Sequence, residues 1–205
     1  MDKTELKKTK DRVIELIRST GIDDIDYFLQ ELEHSGFFTA PASMKNHLCF
    51  EGGLMCHSLN VCETALDLKK MLMASRPDIF EKVSDESIII ASLLHDMCKS
   101  DIYNRRRAAQ TGFGQAEFTT SPGQLPIGHG EKSVVMLLQM GLPLTDAEIC
   151  AIRWHMGAWS VNQANNEERE HFRAAEKRYP LVTLIQLADT IASKFTERPP
   201  ATIND

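Results

Sequence analysis

The chain has 205 residues, of which 42% are hydrophobic and 25% charged, with a formal net charge of -6 at pH 7. That length suffices for one sizeable core, and the acidic balance argues against a general nucleic-acid-binding surface, because affinity for backbone phosphates rests on many Lys and Arg contacts. Five cysteines (Cys49, Cys56, Cys62, Cys98 and Cys150) without a CxxC pair indicate neither a disulfide framework nor a thiolate zinc site, which suits a reducing, cytoplasmic setting.

From the N-terminus, "MDKTELKKTKDRVIELIRST" lacks the apolar centre of a signal peptide, and no window of the chain approaches 18 uninterrupted apolar residues, so a soluble protein is expected. Val13, Leu16 and Ile17 line one side of a helix over residues 5–19, with Gly21 as its stop. Ile25, Phe28, Leu29 and Leu32 do the same for residues 22–35, before Gly36. After an irregular stretch over 37–50, Leu54, His57, Val61, Ala65, Leu68 and Leu72 recur at steps of three and four, so His57 shares the inward face of a long helix. Residues 84–98 are apolar nearly all round and long enough to be a buried helix. Residues 101–128, rich in Gly and Pro, read as a substrate or lid loop, with room for a small hairpin.

Helical order returns at His129 and runs to Gly141, and Thr145 with Glu148 forms a capping box for a helix running to about His155. Residues 158–170 read as a polar loop. Pro180 suits the first turn of a last long helix, whose inward positions Leu181, Ile185 and Ala188 lead to Asp189. The class is therefore all-α, a single-domain bundle of roughly six to nine helices, a fold that by itself names no activity.

Five of these segments place a His or an Asp where the apolar pattern points inward: His57, the pair His95 and Asp96, His129, His155, and Asp189. A single inward histidine is usually a hydrogen-bonded core residue. Two aspartates inside the runs "SIIIASLLHD" and "LVTLIQLADTIA", with few Lys or Arg inside those runs, need positive partners, and a metal would satisfy both. Imidazole and carboxylate donors suit Fe, Mn, Co, Ni or Zn, with Mg less favoured. Six donors exceed what one catalytic ion with an open position requires, which favours two ions with Asp96 as the natural bridge.

The ordered set His57 in "GGLMCHSLNV", His95 and Asp96 in "LLHDMCK", and Asp189 in "LADTIAS" resembles the HD superfamily of metal-dependent phosphohydrolases, over about residues 45–196. "LPIGHGEKSV" and "IRWHMG" resemble the extra-histidine segments of its dinuclear branch. The resemblance implies a first metal on His57, His95, Asp96 and Asp189, and a second, sharing Asp96, on His129 and His155. With that resemblance the chain divides into three expected regions: an N-terminal helical extension (1–44) packed on the core, the HD hydrolase domain (45–196) that the resemblance implies, and a tail (197–205) whose residues "ERPPATIND" read as mobile. The GYP element of the cyclic-dinucleotide phosphodiesterases is not found, so no substrate is carried over from that branch.

The expected activity is hydrolysis of a phosphomonoester or phosphodiester by a metal-activated water, with Asp96 and Lys99 in catalytic roles. The expected partner is a small phosphorylated substrate, a nucleotide being one compatible class; no duplex nucleic acid and no membrane are expected, and a homo-oligomer is compatible with the sequence. Lys99 would share the face of Asp96 if the helix persisted, and could hold a phosphate oxygen; the alternative is a surface lysine at a helix end. Tyr103, Arg105, Arg106 and Arg107 are candidate substrate contacts, the arginines because guanidinium groups grip phosphate in bidentate fashion; a solvated basic turn is the alternative. His47 has a candidate place at the site mouth, a surface role being the other reading. Cys56 and Cys98 read as small buried apolar residues. Two rivals remain: a di-iron oxygenase of the myo-inositol oxygenase type, which uses a similar donor set, and a non-catalytic metal- or nucleotide-binding module.

Overall fold

In a computed structural model of the protein, residues 2–45, 48–106 and 117–197 are described. The centre of the bundle is α5 (Asp85–Leu94), in which every residue from Ile88 to Leu94 is buried. A helix that is apolar on all sides needs neighbours on all sides. α5 finds them in α3 (Gly53–Met73), α8 (Asp146–Trp154), α10 (Pro180–Ile191) and α1 (Lys3–Ser19).

The first helix starts with a capping box, Asp2 accepting from the backbone of Glu5 while the Glu5 side chain accepts from Asp2, and it buries Val13, Leu16 and Ile17. α2 (Ile25–His34) adds Phe28 and Leu32. Gly21 and Gly141 follow α1 and α7 (His129–Gln139) with φ of 69 and 81°, the left-handed conformation that ends a helix at little cost in glycine. Thr145 and Glu148 form the expected box at the start of α8. On α3, Leu54, His57, Val61 and Ala65 are buried, as the spacing requires. A short helix, α4 (Pro77–Phe80), joins α3 to α5.

Three elements depart from expectation. The buried helix stops at Leu94, with His95 as its C-cap, and after a turn a separate short helix, α6 (Lys99–Ile102), begins. Part of the expected polar loop, 158–170, is instead the start of a helix, α9 (Asn166–Arg178), capped by Asn165 and burying only Ala175. A helix so polar has no apolar stripe to betray it, and it is held by its cap and by acidic first-turn and basic last-turn residues. Finally, α10 runs into a π-helical turn, Ala192–Thr196, before Glu197. Within the 101–128 segment, β1 (Tyr103–Arg105) and β2 (Phe118–Thr120) pair antiparallel. Eight α-helices of nine residues or longer occur among the described residues, within the expected range. Among those residues no helix is long and apolar enough to cross a membrane.

Ile88 is fully buried at the centre whereas Leu138, on α7, is half exposed. Ile88→Ala is expected to cost about 2–5 kcal/mol and Leu138→Ala no more than about 0.5 kcal/mol, measured by urea denaturation.

Candidate metal centre

The functional residues collect where several helices end or begin. His57 lies in the second turn of α3, and the start of that helix is fixed by Gly53, where any Cβ would run into the Leu48 carbonyl. His95 and His155 are the C-caps of α5 and α8. The last carbonyls of a helix lack intrahelical partners. Each histidine meets one: His95 Nδ1 donates to the Ser92 carbonyl and His155 Nδ1 to the Ile152 carbonyl, both at 2.7 Å. Because a carbonyl can only accept, the proton sits on Nδ1 and the Nε2 lone pair faces inward. His129 opens α7 and Asp189 lies in the last turn of α10.

All four Nε2 atoms converge on the carboxylate of Asp96. His57 and His95 face its Oδ2 at 3.6 and 3.2 Å, whereas His129 and His155 face its Oδ1 at 2.6 and 3.4 Å. Asp189 Oδ1 closes the first side, 3.2 Å from His57 Nε2. The rings form a chain, with centroids 5.2 Å apart from His57 to His95, 4.8 Å from His95 to His155 and 5.2 Å from His155 to His129. Donor atoms of His57, His95 and Asp189 lie within one ion's reach, as do those of His95, Asp96 and His155. The structure thus brings together all six side chains singled out in the sequence.

The electrostatics of this cluster call for cations. His57, His95, His155 and Asp96 are all buried. Among the described residues, His95 Nε2 and His155 Nε2 meet no hydrogen-bond partner. Each is an acceptor aimed at another acceptor, the Asp96 carboxylate, which is unfavourable unless a positive charge lies between them. In the metal-free chain, protons and Lys99 supply part of that charge. Burial alone would lower His57, but its bonds to Asp189 and Glu197 prevail and raise it to about 9. His129, likewise opposed by burial, is lifted by Asp96 and Cys98 to about 10. Burial holds His155 below the usual histidine range. Burial pushes the Asp96 carboxyl up, yet Lys99 and the surrounding imidazoles hold it well below the usual range, and His57 does the same for Asp189, to about 2. Four imidazoles with Nε2 turned inward, and two carboxylates, fit divalent transition metal ions.

A family model of the HD domain matches residues 54–194, well over half of the chain and including all six clustered residues. The chain belongs to the HD-domain family. HD domains bind divalent metals and are in general metal-dependent hydrolases, and the cluster fits that family-wide chemistry. Neither the curated proteins nor the solved structures contain a significant match to this HD domain.

Around the cluster, Lys99 Nζ is 2.6 Å from Asp96 Oδ2 and largely buried, even though the helix has broken before it. Tyr103, half-buried beside Lys99, lines a cavity of about 290 Å³ together with Ser100, Arg105 and Phe118. Arg105 is bound between Glu51 and Glu117 at 2.8 and 2.9 Å. Arg106 is half-buried, its backbone N–H donating to the Glu117 carbonyl. Arg107 and His47 lie outside the described residues. His34 and His171 are exposed, and Trp154 packs between Arg153 and Phe172.

Three features had no signal in the sequence. Glu197 accepts from His57 Nδ1. Cys98, although buried as expected, places its sulfur 3.2 Å from His129 Nδ1. Lys132, almost fully buried, pairs with Asp101 and donates to the Pro122 carbonyl, clasping residues 122–124 beside His129. Only a spatial partner gives any of these a meaning, and none is adjacent in sequence.

With His57 raised to about 9 and His129 to about 10, loading their Nε2 atoms with metal is expected to release protons near neutral pH, and metal affinity is expected to rise with pH toward about 10. With both histidines raised above their ordinary value, the metal-free fold holds their stabilisation in full below about pH 6.5 and loses it as pH rises through about 9–10. Calorimetric titration in buffers of different ionisation enthalpy checks the first expectation; the melting temperature of chelator-treated protein against pH checks the second.

Proposed function

We propose that this HD domain is a metal-dependent phosphohydrolase acting on a small phosphorylated substrate, with a nucleotide among the compatible classes. The observation that carries the reading is the division of Asp96, one oxygen toward His57 and His95 and the other toward His129 and His155. His57, His95, Asp96 and Asp189 would hold one divalent ion, and Asp96, His129 and His155 a second. When bound, such ions supply a water acidic enough to attack phosphorus near neutral pH and positive charge for the phosphoryl oxygens.

The chain's own residues do the rest. His57, His95 and His155 are at most 1% exposed, whereas His129 and Asp189 keep 30 and 18% of their side chains open. A substrate would therefore enter between His129 and Asp189. Beside His129 a cavity of about 320 Å³, walled by Ile102, Pro122, Pro126 and Ile127, offers an apolar side for the group attached to the phosphate. Lys99 compensates the Asp96 carboxylate and keeps its orientation fixed. With Arg105 occupied by Glu51 and Glu117, Lys99 and Tyr103 are the sequence-selected groups closest to the cluster to meet a phosphate oxygen.

The test begins with metal analysis of protein purified without added metal, followed by parallel assays of phosphate release and oxygen uptake over a panel of phosphorylated metabolites. Metal-dependent phosphate release is expected; iron with substrate-dependent oxygen uptake would instead establish the oxygenase chemistry available to the same donors. Asp96→Ala is expected to abolish metal retention and to lower turnover at least about 100-fold, more than the loss of any outlying partner. Unchanged metal content in that variant would contradict the assignment.

A further inference from the structure

Of the four clustered histidines, three place Nδ1 against ordinary neighbours, two backbone carbonyls and a cysteine sulfur. His57 is different. Its Nδ1 lies 2.9 and 3.1 Å from the two oxygens of Glu197, a bifurcated contact with a carboxyl group. Glu197 has a completely buried side chain and also accepts from Asn60 Nδ2 at 3.0 Å, one turn further along α3 from His57. The backbone shows how it gets there. In an α-helix the residue seven positions after Asp189 would return to the face of Asp189. The π turn Ala192–Thr196, closed by Glu197 N–H donating to the Ala192 carbonyl, winds in one extra residue, so the eighth is delivered instead. That residue is Glu197, and it lies beyond the family match, which ends at residue 194.

We propose that Glu197 is a positioning residue for metal binding: it fixes the His57 ring with Nε2 turned to the site and makes that nitrogen a stronger donor, through a carboxylate–histidine–metal relay delivered by the π turn. A buried carboxylate costs free energy unless it is paired, and this one is held by two donors from α3. A carboxylate behind a ligating imidazole raises its basicity and locks its tautomer, and losing such a partner typically weakens metal affinity about 10–100-fold. Asn60 keeps the carboxylate in register with the ring. The inference rests on the metal-binding reading above, and its test separates the two.

The experiment is titration of chelator-treated full-length protein with Co²⁺ alone, read by visible absorption, for wild type, Glu197→Gln, Asn60→Ala and His57→Ala. Glu197→Gln preserves shape and removes only the charge, so a packing role would leave the titration unchanged. The expected result is a Glu197→Gln affinity about 10–100-fold weaker, with an altered absorption spectrum, confined to the binding step that His57→Ala eliminates. Asn60→Ala is expected to shift the same step in the same direction by less, and it decides the matter should the glutamine variant fail to fold. Wild-type affinity and spectrum in Glu197→Gln, or in Asn60→Ala if that variant alone folds, would overturn the inference and leave the metal reading intact. A wild-type protein that takes up no Co²⁺ would overturn both.

Discussion

A buried carboxylate surrounded by imidazole nitrogens is the constraint around which this protein is arranged. Asp96 has four Nε2 atoms within 3.6 Å and almost no exposed surface. Lone pairs turned toward an anion repel it, and the low polarity of the surroundings magnifies the effect. Protons on His57 and His129, together with the Lys99 ammonium, relieve part of it. Among the described residues they leave His95 Nε2 and His155 Nε2 without hydrogen-bond partners, which is the arrangement a metal centre needs before its ions arrive.

The fold supplies this arrangement by using helix ends. The central helix α5 is buried on every side, so its C-terminus is driven into the middle of the protein, and His95 and Asp96 are the first residues past it. α8 ends in the same way at His155. In both cases a leftover backbone carbonyl orients the ring, so one element of secondary structure provides position, tautomer and direction together. α3, α7 and α10 complete the ring of donors from rigid positions, which limits the reorganisation needed on binding. His129 and Asp189 are the more exposed of the donors, and the Lys132–Asp101 clasp holds the Pro122–Gln124 segment, whose Pro122 walls the cavity beside His129.

What could be read from the sequence follows from the same physics. Aspartates set in apolar runs of sequence are conspicuous because their burial needs a reason, and the periodicity that placed Leu54, Val61 and Ala65 inward also placed His57. The principal helices were legible for the same reason. α9 was not, since its stabilising features are caps and charges that a solvated loop would also carry. The end of α5 at Leu94 was hidden because the apolar pattern runs on past it. Glu197 was least visible of all: it belongs to a polar stretch followed by prolines, and its significance depends on a one-residue change of helical winding that leaves no mark on hydrophobic periodicity.

Under the proposed function, the two oxygens of Asp96 would serve two different cations. Crystals of the protein grown with manganese, with anomalous diffraction data collected at the manganese edge, test this directly. The account predicts two anomalous peaks flanking the Asp96 carboxylate, one beside His57, His95 and Asp189 and the other beside His129 and His155. Density showing no ion at this carboxylate, with the four imidazoles still converging on it, would contradict the account.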